Sequence, residues 1–170
     1  MFLVVWWLEL RPGREPHPSS SRQSALFNFK SEQVRTLAII RGPQRLELSR
    51  TGTGWQIVIP EPGSADALRV DQLARALAEL IPDRQLGASE QPLDIYGLEP
   101  PSLIVDVGLE RETWHLYIGK PTIDRGGYFA RVDQLRTVYV ISATLVDQQL
   151  IAALERPPRA TPIPSPAATP

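Results

Sequence analysis

The chain has 170 residues, 42% hydrophobic and 22% charged, a balance that fits one globular domain with attached tails. Its formal net charge of -1 excludes the basic footprint of a protein that neutralises nucleic-acid phosphates. The absence of cysteine excludes disulfides, thiolate zinc sites and cysteine nucleophiles.

Met1 to Leu8 reads Met-Phe-Leu-Val-Val-Trp-Trp-Leu. It is too short for the ~20 residues that cross a bilayer, and it lacks the basic start of a signal peptide. A terminal strand is one reading. The preferred one is the last part of a membrane helix, because Trp6 and Trp7 beside Glu9 and Arg11 suit the headgroup level. Residues 1–10 are therefore read as a truncated membrane-anchor remnant. Residues 11–25, with Pro12, Gly13, Pro16, Pro18 and three serines, are read as a structureless linker.

Ordered packing is expected from Leu26. Val34 to Arg41 is β-branched and apolar, and Arg45–Arg50 and Trp55–Ile59 alternate, so three antiparallel strands are expected. Gly42-Pro43 and Thr51-Gly52-Thr53-Gly54 supply the turns. Gly52 and Gly54 lead into a strand and not a helix, which argues against a phosphate loop. Val70, Leu73, Ala74, Leu77, Leu80 and Ile81 recur at helical spacing, with Asp66 or Asp71 as N-cap. Arg84 to Ala88 is read as a short strand.

Ile95-Tyr96-Gly97-Leu98-Glu99-Pro100-Pro101 can be neither strand nor helix throughout. Gly97 permits a positive φ, and the two prolines remove backbone donors. A sharp crossing between two halves, pinned by Tyr96 and Leu98, is expected here. Strands then follow at Ser102–Leu109, Thr113–Ile118, Tyr128–Val132 and Thr137–Ile141. Ser142 is the N-cap expected for a helix over 143–154. The expected fold is α+β: two antiparallel β-meanders, each followed by a helix, packed as one domain over residues 26–156. Residues 157–170 read as a disordered Pro-rich tail. Arg-Val-Asp-Gln-Leu occurs at Arg69–Leu73 and at Arg131–Leu135. The first copy opens a helix and the second joins two strands, so the identity is taken as chance.

No reactive centre stands out. His17 lies in the linker and His115 on an outward strand position, without metal-ligand spacing, so no metal and no cofactor is expected. A triad of Ser142, His115 and an aspartate competes with the use of Ser142 as a cap. Asp106, Glu110, Glu112 and Asp124 fall on strand exteriors and turns, where solvated carboxylates are the default. Trp55 and Trp114 sit at inward positions and read as core before sugar platforms. Tyr96 and the loop residues Arg125, Gly126 and Tyr128 are the candidate binding residues.

Several pieces together resemble a family of bacterial domains of unknown function, numbered four-three-four-zero. They are Leu26-Phe27-Asn28-Phe29 before Val34, Gly54-Trp55-x-Ile57 ending at Pro60, the helix from Val70 to Leu80, Tyr96-Gly97-Leu98 with Pro101, Leu116-x-Ile118-Gly119, Tyr128, and Val138-Tyr139-Val140. The resemblance spans about Leu26 to Leu154. It implies a membrane-anchored protein whose domain lies outside the cytoplasm, in some members near ABC transporter components of the gliding-motility type. It carries over no catalytic residue and marks Trp55, Tyr96, Gly97, Leu98, Pro101 and Gly119 as structural. The function expected is non-enzymatic: an extracytoplasmic interaction or scaffold part of a transporter-linked assembly. Its expected partners are the membrane, through the N-terminal segment, and other transporter or envelope proteins. The alternative is a ligand- or polysaccharide-binding module between the halves, near Tyr96 and residues 121–127; a hydrolase stands third.

Overall fold

A computed structural model of the chain describes residues 24–52, 54–88, 91–133 and 135–161. The apolar segment 1–10, all but the last two residues of the linker, and residues 162–170 of the tail lie outside them. Among the described residues no helix is long and apolar enough to cross a membrane.

The strands are β1 (Thr36–Arg41), β2 (Gln44–Thr51), β3 (Gly54–Ile59), β4 (Gly63–Ser64), β5 (Arg84–Ala88), β6 (Leu103–Gly108), β7 (Thr113–Pro121), β8 (Gly127–Val132) and β9 (Thr137–Ser142). All nine join one sheet in the order β4-β3-β2-β1-β6-β7-β8-β9-β5, and each pairing is antiparallel. This corrects the expectation of two meander-plus-helix units. The first strand of each run pairs with the other, Leu37 opposite Val107 and Ile39 opposite Val105. The two meanders are thereby fused at their centre into a single sheet. The fusion suits both strands: β1 and β6 each bury apolar residues, so each gains by having a neighbour on both sides.

Helix α1 (Ala67–Ala78) opens at Asp66, whose carboxylate accepts from the Arg69 amide. It turns Val70, Leu73, Ala74, Leu77 and Ala78 inward. Residues 143–155 form a second helical run. Its middle, Leu145–Ile151, is π-helical, and its last turn is α2 (Ala152–Glu155). Ser142 sits at its start, where the hydroxyl accepts from the Thr144 amide. Both helical runs cover the same face of the sheet. Their apolar residues join Leu37, Ile39, Leu46, Leu48, Trp55, Ile57, Val105, Leu116 and Ile118 in one core. Asp71 ties α1 to the sheet, because one carboxylate oxygen accepts from both the Arg50 guanidinium (2.5 Å) and the Trp55 indole (2.9 Å). The Arg50 guanidinium also lies 4.7 Å from the Trp55 ring centre.

The two ends of the sheet differ. At β4 the chain closes its own edge: the Ala160 amide donates to Ser64, the Asp66 amide to Pro158, and Arg159 pairs with Glu61. At the other end β5 pairs, among the described strands, with β9 alone and is exposed along most of its length.

Candidate functional site

The open face of the sheet carries a second, smaller cluster of Leu93, Leu98 and Val138, with Tyr96, Tyr117 and Phe129 packed against it. The crossing segment builds it. After β5 the chain stands at one rim, whereas β6 lies in the middle, four strand spacings or roughly 19 Å away. The helices occupy one face, so the return path runs over the other. Residues Leu93–Tyr96 form a short 3-10 helix, and Gly97 ends it in the left-handed region at φ 69°. Leu98 is fully buried and bridges back to Pro101.

Gly97 and Gly119 lie against each other, which gives both family-marking motifs a physical reason. A Cβ on Gly119 would stand 2.1 Å from the Tyr96 carbonyl oxygen and 2.9 Å from Gly97. One on Gly97 would stand 2.9 Å from the Lys120 amide nitrogen. Only a pair of glycines lets the crossing backbone lie this close to β7. Tyr96 then meets Phe129 edge to face at 5.0 Å.

Beside this seam is a hollow of about 730 Å³, a size that suits a small ligand. Phe129 and Val140, paired across β8 and β9, line its inner side. Tyr96 stands on the crossing side, and Asp83, Arg84 and Leu86 stand on the β5 side. The loop between β7 and β8 contributes Thr122, Ile123, Asp124, Gly126 and Gly127. Of these lining residues Leu86 and Ile123 are exposed, Ile123 completely.

The loop holds its own shape. Asp124 Oδ1 accepts from the Thr122 hydroxyl (2.5 Å) and from the Gly126 amide (3.1 Å), and Arg125 takes a left-handed φ of 57°. The hydroxyl first, and the amide second, hold the Asp124 carboxyl below the usual carboxylate range. A depressed folded pKa means that this bracing is present above the unfolded value, about 3.9, and is lost as pH falls through the folded one. The Gly126 amide signal in an NMR titration should therefore move with a midpoint below the ordinary aspartate value; a midpoint at or above it would show that the bracing is absent in solution.

The candidate residues from the sequence are thus divided. Tyr96 and Gly126 line the hollow. Arg125 lies on the loop between two lining residues. Tyr128 points to the helix face, where its hydroxyl donates to Asp147 at 2.8 Å; burial first, and that carboxylate second, raise its pKa. Trp55 is a core residue, and Trp114 packs edge to face on Phe27 at 5.8 Å. Periodicity singled out neither Phe129 nor Leu86. The alternation of Tyr128, Phe129 and Ala130 was the available signal, since it sends Phe129 to the face opposite Tyr128.

The ionisable groups form one further constellation. Asp106 and His115, opposite each other on β6 and β7, pair at 2.7 Å on the open face. Arg131, on the next strand, lies over the Tyr117 ring at 4.3 Å. Glu112 lies apart, in the turn before β7, where its carbonyl accepts from Leu109. Ser142 pairs with Gly127 at one end of β8, whereas His115 accepts from Asp133 beyond the other. Roughly 20 Å of strand separates them, so the triad drawn from the sequence is not assembled. Among the described residues no group of three metal-ligating side chains converges.

The geometry defines an antiparallel α+β domain, with helices on one face of the sheet and a glycine-pinned crossing on the other. Residues 55–155 match the family described as Domain of unknown function (DUF4340), and the chain belongs to that family. No curated protein and no solved structure matches it significantly.

Proposed function

We propose that this domain is a non-catalytic interaction part of a membrane-held, transporter-linked assembly, working on the extracytoplasmic side of a bacterial envelope. The observation that carries the reading is the asymmetry of the sheet edges. The chain covers β4 with its own residues 158–160, whereas β5 is left without a partner strand among the described residues. An exposed edge takes an extended segment by main-chain hydrogen bonding, and natural sheets otherwise cover or charge such edges. The exposed apolar residues Leu86, on β5 itself, and Ile123, which lines the same hollow, fit a contact surface. The family resemblance and the Trp-rich segment 1–10 support the membrane attachment.

The test is recovery of transporter subunits from cross-linked membranes with the tagged chain. Leu86 sits at the irregularity where the β5–β9 register steps from Gln85 to Gly87. A proline there disturbs the sheet's own ladder least. Leu86→Pro should abolish recovery, and the loop charge reversal Arg125→Glu should leave it intact. Equal loss from both counts against strand addition, and a chain found only in the soluble fraction counts against the anchor.

A second reading is favoured by the hollow beside Tyr96. It is the place where a ligand- or polysaccharide-binding module would hold its ligand, and its lining is more apolar than polar.

A further inference from the structure

We propose that the hollow between the crossing segment, the β7–β8 loop and β5 is a site for a neutral glycan. The inference rests on the ligand-binding reading above and names its chemistry. A pyranose ring is apolar on its faces, where axial C–H bonds project, and polar around its rim. The hollow is built in the complementary way. The half-buried rings of Tyr96 and Phe129, with Val140, supply apolar surface for a ring face. Ile123, fully exposed at the loop tip, and Leu86 opposite it flank that surface.

The polar groups suit hydroxyls. Asp124 uses Oδ1 for both loop bonds, which leaves Oδ2 able to accept from a ligand hydroxyl. The Arg84 guanidinium lines the same hollow, and its charge helps to hold the Asp124 carboxyl ionised. A carboxylate and a guanidinium side by side offer an acceptor and a fork of donors, which a pair of neighbouring hydroxyls matches. The charges disfavour ionic ligands: an anion meets Asp83 and Asp124, and a cation meets Arg84. A neutral polyol satisfies both kinds of group without leaving a charge unpaired.

The experiment is an NMR titration of the whole isotope-labelled chain with chitotetraose and cellotetraose, and separately with indole as an apolar probe. Saturable shifts at Tyr96, Ile123, Asp124 and Phe129 with either oligosaccharide are expected. Arg84→Ala and Asp124→Asn should each weaken that binding by about fivefold, the loss of roughly one hydrogen bond; Ile123→Ser probes the apolar flank without touching the fold. Oligosaccharide shifts located elsewhere, or unchanged in these variants, overturn the assignment. If indole moves the same signals and neither oligosaccharide does, the glycan inference falls and the ligand-binding reading stands. If no probe moves them, both fall.

Discussion

Replacing Gly119 by alanine is expected to lower the free energy of unfolding by about 3 kcal/mol, measured as a shift of the denaturant midpoint at constant slope. The reason is backbone against backbone. The new methyl would stand 2.1 Å from the Tyr96 carbonyl oxygen and 2.9 Å from the Gly97 carbonyl carbon and oxygen. No flexible side chain can yield there, so the crossing segment itself must lift from β7. Lifting it draws Tyr96 off Phe129 and opens the small cluster around Leu98. Gly126→Ala is the control. A Cβ at that position meets nothing closer than 3.6 Å, at the Asp124 carboxylate, so its effect should stay within about 0.5 kcal/mol. Comparable losses from the two substitutions would mean that the crossing is not clamped at Gly119.

Much of this was readable from residue order, and the boundary between what was and what was not follows the range of the interactions. Alternation placed Leu46 and Leu48, Trp55 and Ile57, and Leu116 and Ile118 on one face, because the pleat is a local property of each strand. Helical spacing placed Val70 to Leu77 for the same reason, and of the two candidate caps, Asp66 and Asp71, it is Asp66 that caps the helix. Pairing between distant strands has no such signature. Nothing in the sequence of β1 says that its second neighbour is β6, nor does Arg84–Ala88 name β9 as its partner. The hollow inherits that limit. Tyr96 and residues 121–127 stood out through their turn chemistry, but Arg84, Leu86 and Val140 join them only because β5 crosses to the far rim. The segment from Ile95 to Pro101 reads in the sequence as a sharp crossing between two halves. It is the path a chain must take across the free face once the helices have taken the other.

Leu98→Ala tests whether that path is held as a unit. Leu98 is fully buried, and among the described residues its cluster has two other buried members, Leu93 and Val138. So small a cluster cannot collapse far to refill the space. A loss of about 3 kcal/mol is therefore expected, within the range for buried leucines cut to alanine. Its relation to the first substitution is more telling than its size. Gly119→Ala should already raise the segment and part-empty the site of Leu98. With Gly119 changed, removing the leucine should cost clearly less than it does alone, by at least about 1 kcal/mol. Two losses that simply add would place Leu98 and Gly119 in independent structures. The seam would then be a row of separate contacts and not the single clamp that lets one wall of the hollow stand fixed against β8 and β9.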